Sequence, residues 1–296
     1  MQQIYNRAAE DLGNAVHLEH VNVSIPDQRL AALFYVAGLG LTRDPYLMVS
    51  DDNMWVNVGR SQFHLPSGSA LRLRGRTGIV ISGRQTLLDR LASVRKKLEG
   101  TQFNFEEHND YVEAVCPWGN HIRCHEPDAA RFGRITLGIP YVELDVPPGT
   151  AKGIAGFYAQ MIETPAEVLE DGTVARVTVG QHQFLLFRET DRPLPEFDEH
   201  HIQIYVANFS GPYRRLMAKN LVTTEDNRYQ YRFRDIVDLE SGRHLFTIEH
   251  EVRSMTHPNF LRPLINRNPA QTARTYSAGH DQWIWSMPPE RMEDRP

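Results

Sequence analysis

Residues 56–65, VNVGRSQFHL, return 121 positions later as residues 177–186, VTVGQHQFLL. The same offset maps residues 20–26, HVNVSIP, onto residues 141–147, YVELDVP. Two matches in one order and at one spacing indicate an internal repeat rather than a chance similarity. The chain therefore contains a duplicated unit.

The two copies differ at the side chains that could bind a metal ion. His20 is matched by Tyr141, and His64 is matched by Leu185. Because a folding requirement alone would act on both copies, these histidines point to a function of the first copy. Metal-capable side chains at these positions occur in one copy only.

The composition excludes several classes of partner. The chain has 296 residues, and 32 Lys and Arg against 37 Asp and Glu give a net charge of −5, so nothing indicates binding to nucleic acid or to an anionic membrane. No apolar run approaches the roughly 20 residues of a membrane-spanning helix, and residues 1–12 lack the basic and then apolar pattern of a signal peptide. The two cysteines are too few for a disulfide framework. We expect a cytoplasmic protein whose partners are small molecules or, through edge strands of its sheets, a second copy in a homodimer.

Apolar periodicity predicts a module of one strand, one helix and a run of short strands. Residues 18–26 alternate as a half-buried strand does, residues 28–39 carry apolar side chains at helical spacing, and residues 54–58 and 62–65 read as a hairpin that turns at Gly59. The same order is predicted in three further stretches, which are residues 71–126, 140–187 and 200–251. We therefore predict an α+β fold of four βαβββ modules.

The modules suggest a division of the chain. We expect an N-terminal segment (1–15), two domains of two modules each (16–130 and 131–255) and an extended C-terminal tail (256–296). After Arg253 the periodicity disappears and prolines recur, while Trp283 and Trp285 are too apolar for a free segment. The tail is expected to pack over the domains as a strap.

The tandem modules resemble the vicinal oxygen chelate superfamily, which includes glyoxalase I, bleomycin and fosfomycin resistance proteins and extradiol ring-cleaving dioxygenases. The motifs that carry the resemblance are His20 in the first strand, Gly-x-x-Gln-Phe-x-Leu at the end of the module, and the turn PWGNHI at residues 117–122. The resemblance covers residues 16–251 and implies cup-shaped mixed sheets, each made by two modules. It implies the fold more than the function, because this fold carries isomerases, dioxygenases, transferases and binding proteins.

The resemblance also implies where metal ligands lie, on the first and last strands of the modules. Modules one and four offer His20, His64, His201 and Glu249 there, so we expect these outer modules to share one cup. Modules two and three offer side chains that cannot complete a divalent site, namely Arg76 or Thr77, Arg123, Tyr141 and Leu185. The arrangement is similar to that of hydroquinone-type ring-cleaving dioxygenases, which implies His20, His201 and Glu249 as metal ligands. His64 would be a fourth ligand or a catalytic base beside the metal.

Each of these side chains also has a purely structural interpretation. His20 could be a buried histidine that bonds to backbone, and strand alternation turns either His200 or His201 inward whatever its role. The simplest register groups Phe246 with Ile248 and His250, which would place Glu249 on the opposite face unless a β-bulge intervenes.

Four aromatic residues are candidates for a substrate pocket. Tyr35, Trp55, Phe63 and Tyr205 either belong to the core or line a pocket for a ring-shaped substrate. Arg76 and Arg123 would make the other cup suitable for a carboxylate, or would form internal ion pairs with Glu113 or Glu143, and we favour the ion pairs.

The function that combines these expectations is a mononuclear metal enzyme, an Fe(II)-dependent dioxygenase that cleaves a small phenolic or hydroquinone-like substrate. Mn(II), Zn(II) or Ni(II) would also suit the ligands. Two other functions stay open, namely a metal-free protein that binds or sequesters a small molecule, and a glyoxalase-like lyase or isomerase that uses Zn(II) or Ni(II) as a Lewis acid.

Overall fold

The computed structural model of the chain describes residues 5–45 and 52–264, and these contain the four expected modules. Module one comprises β1 (Ala15–Asn22), α1 (Gln28–Ala31), which continues as a π-helical segment (Ala32–Gly38), β2 (Thr42–Arg43), β3 (Asn53–Val58) and β4 (Ser61–Pro66). Module two comprises β5 (Gly75–Val80), α2 (Arg84–Val94), which ends in a 3₁₀ turn (Arg95–Leu98), β6 (Asn104–Glu107), β7 (Val112–Val115) and β8 (His121–His125).

The second half of the chain repeats this order. A short helix, α3 (Ala129–Phe132), precedes it. Module three comprises β9 (Gly138–Val146), α4 (Ala151–Phe157) with a π-helical continuation (Tyr158–Ile162), β10 (Ala166–Leu169), β11 (Val174–Gly180) and β12 (Gln183–Glu189). Module four comprises β13 (His201–Val206), α5 (Ser210–Ala218), β14 (Val222–Asn227), β15 (Gln230–Val237) and β16 (His244–Ser254). Two further 3₁₀ turns are Arg7–Glu10 and Glu170–Gly172.

The strands form two mixed sheets of eight strands each. The first has the order β14-β15-β16-β13-β1-β4-β3-β2, and the second has the order β10-β11-β12-β9-β5-β8-β7-β6. Within each sheet, two modules join through their first strands, β1 with β13 and β5 with β9, and both pairs are antiparallel. The expectation that modules one and four share a cup is therefore confirmed. Because each sheet takes one module from each half of the chain, the proposed boundary at residue 130 does not separate the sheets.

The helices form where the sequence supplies caps and apolar spacing. The Asp27 side chain accepts hydrogen bonds from the first free backbone N–H groups of α1, which stabilises the start of that helix. In α2 the buried residues are Leu87, Leu91 and Val94, spaced so that they lie on one face. That helix packs against the π-helical segment of module one.

One apolar core lies behind both sheets. It contains Tyr35 and Phe63 from module one, Ile122 from module two, Leu185 from module three and Phe246 from module four. Full burial of a side chain such as Phe63 contributes about 1.5–3 kcal/mol relative to exposure. The other face of each sheet is lined with polar side chains, and we call these two faces the first cup (modules one and four) and the second cup (modules two and three).

Because of strand register, residues that match in the sequence repeat do not all occupy equivalent positions in the two sheets. In the first cup His64 pairs with Asn22 of β1, whereas in the second cup Leu186 pairs with Glu143 of β9. The irregularity in the pairing of β11 with β12, between Thr178 and Gly180, moves β12 by one residue. Leu185, the sequence counterpart of His64, therefore faces the core.

The described part of the tail forms short turns beside the first sheet rather than an extended strap. Phe260 packs edge-on to Tyr205, with ring centroids 4.8 Å apart. The Arg262 side chain is almost fully buried and contacts Asp44 at 2.5 Å. Trp283 and Trp285 lie outside the described residues.

Candidate metal centre

Three histidines meet in the first cup. One ring nitrogen from each of His20, His64 and His201 lies within 4.8 Å of the others. The ring centroid of His20 is 5.6 Å from that of His64 and 5.7 Å from that of His201. Metal–nitrogen bonds of about 2.1 Å require nitrogens about 3 to 3.5 Å apart, so small side-chain rotations would bring all three onto one ion. Among the described residues this is the only such group of three or more His, Cys, Asp or Glu side chains.

The strands explain why these imidazoles converge. His20 lies on β1 and His64 on β4, which run parallel, while His201 opens β13 on the other side of β1. In the pairing of these strands, Asn22 of β1 is opposite both His64 and His201. Paired residues of neighbouring strands point to the same face, so all three rings enter the cup from adjacent strands.

Each imidazole presents a nitrogen without a hydrogen-bond partner. The Nε2 atoms of His20, His64 and His201 are buried and have no hydrogen-bond partner among the described residues. Nε2 of His201 lies 3.6 Å from Oε2 of Glu251, which is beyond hydrogen-bond distance. The Nδ1 atom of His20 contacts Glu19 Oε2 at 3.2 Å, whereas Nδ1 of His64 lies 2.6 Å from the amide nitrogen Nδ2 of Asn22, which can only donate. Buried polar atoms usually have a hydrogen-bond partner, so three histidines of one cluster that each lack one at Nε2 fit a bound cation. A carboxylate acceptor on the opposite ring nitrogen, as Glu19 provides for His20, is also typical of metal-bound histidines.

The environment keeps these imidazoles neutral. Burial, followed by the charges of Arg253 and Arg232, lowers the pKa of His20 well below its usual range. Burial, followed by the neighbouring His20, lowers the pKa values of His64 and His201 in the same way. Neutral imidazoles have a free lone pair at neutral pH, which is the form that binds a metal.

A chain of alternating charges borders the histidines. Arg253 contacts Glu19 at 2.9 Å and Glu251 at 2.5 Å, and Arg232 contacts Glu251 and Glu249 at 2.5 Å each. All three carboxylates are buried, so each needs its cationic partner. The acidic groups beside the histidines are therefore already neutralised by arginines.

Glu249 lies on the face that the simplest register had excluded. It pairs with His201 in the parallel ladder of β13 and β16, and its Oε1 atom is 3.7 Å from Nδ1 of His201. The carboxylate is also bound by Arg232 and by Arg234, the latter at 2.8 Å. Glu249 is thus a neighbour of the histidine cluster rather than one of its three members. The next residue, His250, points to the opposite face of the strand. There its Nε2 atom is hydrogen-bonded to the Tyr158 hydroxyl in the core.

Only two of the four aromatic candidates lie at the cluster. Trp55 stacks on His64 with ring centroids 3.8 Å apart, and the Tyr205 hydroxyl donates to Glu19 at 3.1 Å. Tyr35 and Phe63 pack against each other in the core behind the sheet, so their prediction as pocket residues is wrong. Strand alternation is the reason, because Phe63 lies between Gln62 and His64, which face the cup.

A cavity of about 400 Å³ lies between the first sheet and the tail, and none of the three clustered histidines is among its lining residues. Glu19 and Gln62 form its wall on the cup side, and tail residues 259 and 261–264 form the opposite wall. Arg262 joins the two sides, because it bonds to Gln62 at 3.1 Å. The volume suits a small molecule.

The second cup holds ion pairs where the first cup holds its cluster of three histidines. Arg76 contacts Glu143 at 3.2 Å, and Arg123 contacts Glu113 at 3.9 Å, so the predicted internal ion pairs are confirmed. Tyr141, the counterpart of His20, bonds through its hydroxyl to His125 at 2.8 Å.

Several polar residues of the first cup were missed in the sequence. They are Glu19, Asn22, Arg232, Glu251 and Arg253. Period-two spacing of charged residues at 249, 251 and 253 was a usable signal, because such spacing places three ionisable groups on one face of a strand. The contribution of Glu19 depends on a bulge that the sequence pattern does not show.

None of the described helices is long and apolar enough to cross a membrane.

Comparison with known proteins identifies the fold. No protein-family model matches the sequence, and no curated protein matches it significantly. A Bacillus subtilis protein named as a candidate dioxygenase has a similar structure, with a TM-score of 0.53 and 17% identity over 83% of this chain and 87% of that one. Glyoxalase I from Zea mays is similar with a TM-score of 0.54 and 13% identity over 84% of this chain and 95% of that one. The chain therefore has the vicinal oxygen chelate fold in its tandem, two-domain form.

Proposed function

We propose that this protein is a mononuclear metal-dependent enzyme whose metal is held by His20, His64 and His201. The observation that carries the proposal is the cluster of three histidines from two modules at opposite ends of the chain, each with a buried Nε2 atom that has no hydrogen-bond partner. His64 lies as close to the cluster as the other two, so we assign it as a ligand rather than as a separate base. Glu249, initially expected to be a ligand, would support His201 from outside.

Imidazole ligands suit Fe(II), and also Zn(II), Ni(II) and, with oxygen ligands, Mn(II). The metal would lower the pKa of chelating substrate oxygens and, as Fe(II), would provide redox chemistry towards dioxygen. We favour Fe(II) because a ring-cleaving dioxygenase needs that redox chemistry.

The ligand set favours an anionic substrate. Three neutral imidazoles contribute no negative charge, so a substrate that chelates through two ionised oxygens would balance a divalent ion. A catechol or hydroquinone-like compound has this property. Trp55, which stacks on His64, would provide an aromatic wall for the ring of such a substrate. We therefore propose ring cleavage of a small phenolic compound as the reaction.

A second candidate is a metal-free binding protein of the same fold. The observation that favours it is the pairing of Glu249 with both Arg232 and Arg234. A cup whose carboxylates are neutralised by arginines needs no metal cation to balance their charge. A glyoxalase-like lyase or isomerase is the third candidate and would use the same histidines with Zn(II) or Ni(II).

Metal analysis of protein purified without chelators and without a metal-binding tag separates these candidates. One iron or manganese per chain in the wild type, and none in the His20→Ala/His201→Ala variant, would support the enzyme. A correctly folded wild type that neither carries metal nor takes up Fe(II), Mn(II), Zn(II) or Ni(II) would support the binding protein.

Substrate assays then divide the enzymes. Oxygen uptake with a panel of catechols and hydroquinones is the expected result for the Fe(II)-loaded protein. Isomerisation of a hemithioacetal by the Zn(II) or Ni(II) form, without oxygen uptake, would replace the dioxygenase by the glyoxalase-like reaction.

A further inference from the structure

The first strand of the first cup contains a β-bulge at Glu19. Leu18 pairs with Ile204 and His20 pairs with Gln203, so β1 contains one more residue than β13 over this interval. Normal alternation would send Glu19 and His20 to opposite faces, but the extra residue turns both side chains into the cup. The bulge therefore brings a carboxylate next to a candidate metal ligand.

Glu19 is held from three sides. Its Oε2 atom contacts Nδ1 of His20 at 3.2 Å and Nη1 of Arg253 at 2.9 Å, while its Oε1 atom accepts from the Tyr205 hydroxyl at 3.1 Å. The residue is only 5% exposed, and His20 is fully buried. Because all of these partners are ordered by the sheet, the carboxylate has little freedom to leave the imidazole.

The second cup shows that the bulge itself belongs to the fold. There Gly78 pairs with Tyr141 and Val80 pairs with Gly138, so β9 has an extra residue at the same place. The repeat position of Glu19 is Pro140, which suits a bulge because it has no N–H group to pair. The bulge is common to both sheets, whereas the carboxylate occurs only where a histidine follows it.

We propose that Glu19 is a positioning residue that fixes the tautomer of His20. A carboxylate accepts hydrogen bonds, so it holds the imidazole proton on Nδ1 and leaves the lone pair of Nε2 directed at His64 and His201. Tyr205 and Arg253 keep Glu19 in place by occupying its other lone pairs. The inference about metal binding rests on the proposed function, whereas the tautomer itself does not.

The tautomer is measured directly by long-range ¹H–¹⁵N NMR of histidine side chains in metal-free protein at pH 8, with His20 assigned from a His20→Gln variant. The expected spectrum has the proton of His20 on Nδ1. A wild-type His20 with its proton on Nε2 would overturn the proposal without any need for a Glu19 variant.

Variants extend the test to metal binding. Glu19→Ala is expected to mix the two tautomers of His20 and to weaken Zn(II) binding, measured by competition with a chromophoric chelator, by roughly 10–100-fold. Glu19→Gln retains an acceptor oxygen and is expected to restore the Nδ1–H tautomer. Glu143→Gln, which removes a similarly buried carboxylate from the second cup, is the matched control and should change neither quantity.

The outcomes separate the two claims. Wild-type protein with the Nδ1–H tautomer but without Zn(II) affinity would remove the proposed function and leave the positioning role intact. Wild-type protein that binds Zn(II), together with a folded Glu19→Ala variant of equal affinity and unchanged tautomer, would remove the positioning role alone. If Glu19→Ala does not fold, the wild-type spectrum still decides the tautomer.

Discussion

The two cups of this protein have the same strand order and opposite chemistry. In the first cup, His20 and His64 face His201 with unpaired nitrogens. In the second cup, the positions that face inward hold Tyr141, which bonds to His125, and charged residues that pair with one another. Both cups are polar and both balance their charges internally. The difference lies in a few side chains on a shared frame.

This contrast shows that the fold alone does not create a metal site. In the second cup the charged side chains pair with one another, as Arg76 does with Glu143 and Asp145. The first cup has a comparable set of ion pairs and, in addition, three neutral imidazoles that its own arginines cannot satisfy. These additional imidazole lone pairs distinguish the first cup, a candidate metal centre, from the second cup, which is a set of ion pairs.

The largest expected effect comes from removing two ligands of the first cup. The His20→Ala/His201→Ala variant should retain no metal, because one remaining imidazole cannot compete with water and buffer for a divalent ion. Metal content by mass spectrometry measures this. Tyr141→Phe in the second cup is the matched control and should carry as much metal as the wild type, and equal metal loss in both variants would break the comparison.

A large effect on stability is expected from Arg253. Arg253→Met leaves Glu19 and Glu251 buried without their shared cation, and breaking such a buried pair costs about 3–5 kcal/mol of unfolding free energy. Urea denaturation of the metal-free protein measures it. Arg192→Met removes a solvent-exposed partner of Asp145 in the second cup and should cost at most about 1 kcal/mol. Similar losses for both variants would show that the first cup is no more tightly paired than the second.

A smaller effect is expected from Glu249, since it supports the cluster from outside. Glu249→Gln should weaken metal binding by no more than about 10–100-fold, the usual effect of losing an outer partner. The comparison is with the single variant His201→Ala, which should lose more affinity. If Glu249→Gln loses as much as His201→Ala, then Glu249 is a ligand and the three-histidine set is incomplete.

The last expected effect is a change in the pH dependence of stability. Burial, with a contribution from Arg131, lowers the pKa of His125 in the second cup to about 4. Unfolded histidine titrates near pH 6.5, so the unfolded state takes up this proton first and stability falls as the pH drops from about 6.5 towards 4. His125→Gln should reduce this slope by at most about 1.4 kcal/mol per pH unit.

Urea titrations between pH 4 and pH 8 measure that slope. An unchanged slope in His125→Gln would mean that this buried imidazole does not resist protonation.

Much of the architecture could be predicted from the sequence, because the repeat at residues 56–65 and 177–186 defines the module and the positions of histidines indicate which modules meet. The faces of individual strands were harder to predict. A one-residue shift reverses a strand, and the bulge at Glu19 and the irregular turn before Gln183 produce such shifts without a clear sequence signal. Glu249 was assigned to the wrong face by the simplest register for a related reason.

Aromatic residues gave the least information about the site. Trp55 and Phe63 are both aromatic and both lie on neighbouring strands, yet one stacks on His64 and the other belongs to the core. Which face of the sheet each side chain occupies depends on strand register and packing, and the residue type alone does not reveal either. Predicting the charge chain through Arg253 would have required the register of four strands.

X-ray absorption spectroscopy of protein loaded anaerobically with Fe(II) tests the central claim most directly. Three imidazole nitrogens at about 2.1 Å around one iron per chain, reduced to two in His64→Ala, are the result that this account predicts. A wild-type spectrum with fewer than three imidazoles, or an unchanged spectrum in His64→Ala, would contradict a centre assembled from the first and last modules.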